Sequence, residues 1–149
     1  RELGMKTKEL QEELVGKMKQ WQKIEDASVA STSELIKQTD NPLIKLVLEI
    51  IKLDSQNHHK VQQFVIDSFE KEAINLSPEE MGKVWAGIQK HIDIEKKMVG
   101  FVEDTLSSLK GKKLIVQEYL LNYLKADEKK HDDLLDNLEK IKNGMYPYG

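Results

Sequence analysis

Cysteine is absent from this chain of 149 residues, which excludes disulfides, thiolate nucleophiles, iron–sulfur clusters and cysteine-type zinc sites together. Any metal must be held by oxygen and nitrogen. Excess charge of one sign is missing too: 23 Lys and Arg stand against 26 Asp and Glu, for a formal net charge of −3. The signs are interspersed, so there is no basic field to attract nucleic acid. Long apolar runs are also lacking. The stretch from Leu43 to Leu53 is interrupted by Lys45, Glu49 and Lys52 and falls short of the roughly 20 residues needed to cross a bilayer. The polar faces are mixed in sign rather than basic, which argues against a membrane-surface bundle. Arg1-Glu2-Leu3-Gly4 does not read as a signal peptide, so a cytoplasmic protein is expected. The length suits one domain with one sizeable core.

Proline and glycine are scarce, with three Pro and eight Gly, and where they occur they mark joints. Pro42, Pro78 and Pro147 all lie where helical periodicity breaks. Asn41 and Ser77 precede the first two as N-caps, and Glu80 sits at the capping-box position of the second. Gly111, between Lys110 and Lys112, supplies a tight turn, and Gly144 is expected to end the last helix before a Tyr146-Pro147-Tyr148 tail. The result is an all-α chain with helices over about 5–38, 42–70, 78–110 and 112–143 and a tail at 144–149, all within one domain spanning 1–149.

Each helix carries an apolar seam at helical spacing. The first runs Leu14, Met18, Trp21, Glu25, Ser28, Thr32, Leu35, and the second Val47, Ile51, Asp54, His58, Val61, Val65. The third runs Met81, Val84, Ile88, His91, Glu95, Met98, Val102, and the fourth Leu121, Leu124, Glu128, His131, Leu135, Leu138. Every seam is apolar at its ends and polar or ionisable in its middle. Buried ionisable groups cost several kcal/mol unless paired or metal-bound. Counting from the turns at about 1.5 Å per residue places Glu25, Asp54, Glu95 and Glu128 in one layer. The two halves repeat weakly: Ile24-Glu25 recurs as Ile94-Glu95, and Asp54 before His58 recurs as Asp127 before His131, four residues apart in both. Three of the four His (His58, His91, His131) fall on seams, and His59 points elsewhere.

These residues resemble the ferritin-like superfamily, and within it the rubrerythrin-type di-iron four-helix bundle. That pattern takes one Glu from each of two helices and a Glu-x-x-His pair from each of the other two. Glu25, Glu95 and the Glu128–His131 pair match it. The second helix departs from it, with Ser55 where a bridging Glu is expected and His58 alone matching. Asp54 and His91 are the neighbours able to compensate. The candidate metal ligands are therefore Glu25, Asp54, His58, His91, Glu95, Glu128 and His131. With Asp54 there are four carboxylates, enough for two divalent ions; without it the set suits one.

The resemblance implies iron, with Mn or Zn as alternatives, and chemistry on oxygen or peroxide or the oxidation of ferrous iron. Two plainer readings stand beside it. Acid and imidazole couples can satisfy one another without metal, and a single Glu-x-x-His arises readily by chance. A bundle of this kind can also serve as a non-catalytic interaction module, for instance as a homodimer through the Leu/Tyr face of the fourth helix.

Overall fold

Two proline-initiated helices follow directly from their caps. Asn41, in an extended conformation, accepts hydrogen bonds from the Leu43 and Ile44 amides at 3.0 and 3.1 Å, and Pro42 fills a position that has no amide partner to lose. Ser77 does the same for the third helix, its hydroxyl accepting from the Glu80 amide at 3.1 Å. The structure, a computed structural model, describes residues 2–71 and 77–145. Within them are α1 (Glu2–Gln38), α2 (Pro42–Glu70), α3 (Pro78–Ser108) and α4 (Ile115–Met145). No strand occurs among the described residues.

The boundaries differ from the periodicity in three places. The first helix begins at Glu2, ahead of Met5. Gly144 does not end the last helix, which runs through it to Met145; the Tyr146-Pro147-Tyr148 tail lies outside the described residues. The joint at Gly111 is wider than a single glycine. α3 closes on short turns, with the Leu109 amide bonding to Leu106 O at 3.1 Å and the Lys110 amide to Ser107 O at 3.3 Å. Gly111 then takes a φ of 77°, a backbone conformation open to glycine without steric cost, and the next helical bond is from the Glu118 amide to Leu114 O. The second helix keeps its full length to Glu70. Residues 72–76, on which a long crossover or a simple up-and-down connection would turn, lie outside the described residues.

The chain divides into two compact units, Arg1–Ile74 and Asn75–Gly149, each built on an antiparallel helix pair: α1 with α2, and α3 with α4. Val15 and Ile66 are the buried aliphatic residues of the first pair, and Met81, Ile92 and Val102 those of the second. Between the apolar contacts of α1 and α2 lies a polar stripe: Gln22, Glu25, Thr32, Ser55 and Gln62 are all buried. Gln22 donates to Gln63 Oε1 at 3.0 Å and to His59 O at 3.3 Å, and the Ser28 and Ser55 hydroxyls meet at 2.9 Å. Thr32 returns its hydroxyl to the carbonyl of Ser28 at 2.8 Å.

The buried stripe of each pair runs to one side of the periodic seam. Trp21, Val61 and Val84, expected inside, are exposed, whereas Gln22, Gln62 and Ile92 are buried. A two-helix contact covers only part of the apolar arc on each helix, so a seam drawn through the middle of that arc misses the buried edge.

Candidate metal centre

Glu95 reaches its position because α3 is helical without interruption from Pro78 to Ser108, which carries Ile92, Glu95 and Val102 onto the one face that is buried. Glu128 and His131 occupy adjacent turns of α4 on a single face, as an i, i+3 pair must. The antiparallel pairing then sets the two helix faces against each other at this level. Ligand atoms of Glu95, Glu128 and His131 all lie within 4.8 Å of one another. His131 Nδ1 is 3.6 Å from Glu95 Oε1 and 3.8 Å from Glu128 Oε2. Burial falls off across the cluster, with side-chain exposures of 5% for Glu95, 20% for Glu128 and 41% for His131.

Two carboxyl groups this close cannot both ionise freely. Glu128 is raised above the ordinary carboxyl range, first because its protonated form hydrogen-bonds to Glu95, and next because burial disfavours its charge. Glu95 is lowered, first because it accepts that bond from Glu128; burial opposes the shift, and His91 and His131 support it. The two shifts run in opposite directions, so Glu128 is the member of the pair that takes up a proton more readily. His91, on α3, adds its Nε2 to Glu95 Oε1 at 3.0 Å.

Glu95 Oε2 and Glu128 Oε2 remain buried with no hydrogen-bond partner. Two carboxyl groups, each with an orphaned buried oxygen, converging with an imidazole nitrogen supply the donor types that hold a hard or borderline divalent ion. Ligands held about 2.0–2.2 Å from such an ion stand roughly 3–3.5 Å from one another, so His131 at 3.6 and 3.8 Å from the two carboxylates, within a set spanning no more than 4.8 Å, is brought to ligand spacing by contraction of the cluster. The residues fit a metal.

The other candidate ligands lie in the α1–α2 pair or at the edge of the cluster. Glu25 is buried and has His58 Nδ1 3.2 Å from its Oε2, without an aligned hydrogen bond at that atom. His58 itself is largely exposed. Asp54 is half-buried and makes no hydrogen bond or ion pair among the described residues. His91 touches Glu95 but is not one of the three convergent donors.

The sequence pattern missed a role for Asp127. Its Oδ2 lies 3.6 Å from His131 Nε2, on the ring edge opposite the cluster, while Oδ1 is held by Lys130 at 2.8 Å. A carboxylate facing the second nitrogen orients the ring and favours presentation of Nδ1 to a cation. The signal was present in the repeat, where an acid stands four residues before the His in both halves. His59 also has a partner, Asp26 at 2.9 Å.

The fold and the cluster together define an all-α protein of two packed helix pairs with a buried carboxylate–histidine group capable of coordinating a metal ion. No protein-family model matches the chain, and comparison with curated proteins and with solved structures gives no significant match. No helix among the described residues is long and apolar enough to cross a membrane.

Proposed function

We propose that this chain is a metal-binding protein of the ferritin-like kind, with iron as its metal and Mn or Zn as alternatives, held through Glu95, Glu128 and His131. One observation carries the reading: two carboxylates from different helices, each with a buried oxygen lacking a partner, converge with an imidazole nitrogen. A divalent cation would neutralise both carboxylates and compete with protons for them. Iron bound there would supply redox chemistry toward oxygen or peroxide, or undergo oxidation itself as ferrous iron.

The wider reading, one domain with a single ligand layer of Glu25, Asp54, His58, His91, Glu95, Glu128 and His131, belongs to the same proposal. It rests on the sequence: the common height of these residues along four seams and the resemblance to rubrerythrin-type bundles. Ser55 stands where the second-helix carboxylate would be, which favours one metal ion over two.

The test is metal analysis of protein purified without chelator or affinity tag, followed by titration with ferrous iron under air at near-ultraviolet wavelengths. The expected result is bound metal near one ion per chain and iron oxidation faster than in buffer. Metal at background, with no new absorbance band, would overturn the proposal and leave the interaction module as the better reading. Binding without accelerated oxidation would keep the metal site and remove the redox activity.

A further inference from the structure

The turn joining α3 to α4 has a chemistry unlike the helix faces. From Thr105 to Gln117 there are three lysines, Lys110, Lys112 and Lys113, and no acidic residue. All three are exposed, and none has a carboxylate within ion-pair distance among the described residues. Lys17 and Lys19, in another stretch free of acids, are instead paired with Glu13 and Glu70. Directly after the lysines come Leu114, Ile115 and Val116, all exposed, Ile115 at 77%.

Neither group is explained by local folding. A cation after α3 complements the negative end of that helix, but Lys112 and Lys113 precede the positive end of α4, where cations are unfavourable. Ile115 and Val116 are β-branched, poor helix formers at the start of a helix, and their side chains stay in water. The backbone that presents them is closed: the Lys112 amide bonds to Leu109 O at 3.0 Å and the Leu114 amide to Lys112 O at 2.9 Å, with Gly111 providing the reversal.

We propose that this turn is a docking surface for the anionic face of a lipid bilayer. The three ammonium groups meet lipid phosphates and carboxylates, and Leu114, Ile115 and Val116 enter the boundary between headgroups and acyl chains. Charge complementarity selects an anionic occupant, and area selects the bilayer. A stable protein interface takes about 20–30 residues a side, far more than a convex turn offers, whereas a fluid surface closes around a small tip. The helix faces are mixed in sign, whereas this turn is basic and apolar. At a net charge of −3 the chain as a whole is not drawn to an anionic surface, so attraction has to come from a local basic segment such as this turn. The inference is independent of the metal site.

The experiment is co-sedimentation of the full chain, in chelator, with vesicles of phosphatidylcholine alone or of phosphatidylcholine and phosphatidylserine in equal parts. Binding is expected to the mixed vesicles only, and to weaken as salt shortens the screening length. Replacing Lys110, Lys112 and Lys113 together by Gln should weaken it about a hundredfold, near fivefold for each charge. Ile115→Ser with Val116→Ser should weaken it about tenfold with the lysines intact. Circular dichroism should show unchanged helix content in both variants. Lys17→Gln with Lys23→Gln should leave binding unchanged, and soluble phosphoserine should not release the protein. Four results would each overturn the proposal: no preference for the mixed vesicles; binding that survives loss of the three lysines; release by phosphoserine; or retention on an acidic peptide without vesicle binding.

Discussion

In the α1–α2 pair Glu25 meets one imidazole, His58, at 3.2 Å; in the α3–α4 pair its counterpart Glu95 meets two imidazoles and a second carboxylate. The two hairpins repeat the same acid-to-histidine contact, each through Nδ1 of the ring. They differ three residues before that histidine, where one has Ser55 and the other Glu128. Ser55 turns to the Ser28 hydroxyl at 2.9 Å, while Glu25 Oε2 and Gln62 Oε1 in the same pair stay buried without a hydrogen-bond partner. Glu128 instead adds a second carboxyl group beside Glu95, and each of the two keeps a buried oxygen without a partner. A single residue type thus separates a hairpin with one acid facing one imidazole from a hairpin with two acids facing an imidazole, the set capable of coordinating a cation.

The sharpest way to break this comparison is to remove the shared acid from each hairpin in turn. Glu95→Gln is expected to lower metal affinity by at least about a hundredfold, because it takes away the most buried donor and the group that orders both imidazoles. The proposed wider ligand layer would make Glu25→Gln cost about tenfold, the effect of a contributing but not central group. Calorimetric titration with ferrous iron under nitrogen measures both. Equal losses would mean the hairpins do not differ as described. No loss from Glu25→Gln would remove it from the wider ligand layer while leaving the α3–α4 cluster intact.

The reverse change sharpens the comparison. Ser55→Glu places a Glu-x-x-His on α2 beside Glu25, making the first hairpin chemically like the second. Without metal it should destabilise the protein by about 1–3 kcal/mol, since a larger, charged side chain enters a buried position. With metal, the ion content per chain should rise by one. Denaturant unfolding in chelator and elemental analysis check the two halves, and a destabilised variant with unchanged metal content would show that Ser55 is not the missing ligand position.

Much of this contrast was legible in the sequence, and what was not has identifiable causes. Asn41-Pro42 and Ser77-Pro78 announced two helix starts because caps act on their own local backbone. Glu95, Glu128 and His131 were found because helical spacing alone puts them at one level on facing seams. The finer rotation of each helix was not accessible: Trp21 was placed on the seam and is exposed, while its neighbour Gln22 is buried. Periodicity reports the centre of an apolar arc, while burial depends on which edge of it a neighbour covers. Asp127 was seen only as half of a repeat, because its role depends on which edge of the His131 ring faces Glu95. Gly144 misled because a glycine near a helix end is permitted there without being a stop.

The two hairpins should also respond differently to pH. In chelated protein, Glu95 contributes stability that is present above its unfolded value of 4.5 and lost as pH falls through its lowered folded pKa. Glu128 acts in the opposite sense: its contribution is complete below 4.5 and lost as pH rises through its raised folded pKa. The melting temperature should therefore decline as pH climbs from 4.5 through that raised value. Glu128→Gln, which keeps a donor toward Glu95 without a titrating charge, should abolish the decline, and Ser55→Ala should leave it unchanged. A slope insensitive to Glu128→Gln would mean that another group causes the decline.

The smallest expected difference lies at the ends of the hairpins away from their turns. There Lys142 sits over the Trp85 ring, 4.3 Å from its centroid, whereas α1–α2 has an exposed ion pair between Lys19 and Glu70 at 3.5 Å. A cation over an indole keeps part of its attraction when half-buried, and Lys142→Ala should cost about 0.5–1 kcal/mol. The exposed pair is screened by solvent, so Lys19→Ala should cost about 0.5 kcal/mol or less. The chain has two Trp, so a Trp21→Phe background leaves Trp85 as the reporter. Its emission should shift on removal of Lys142 and stay constant on removal of Lys19. A shift with both variants would mean that Trp85 senses general loosening of the fold rather than the ammonium group above its ring.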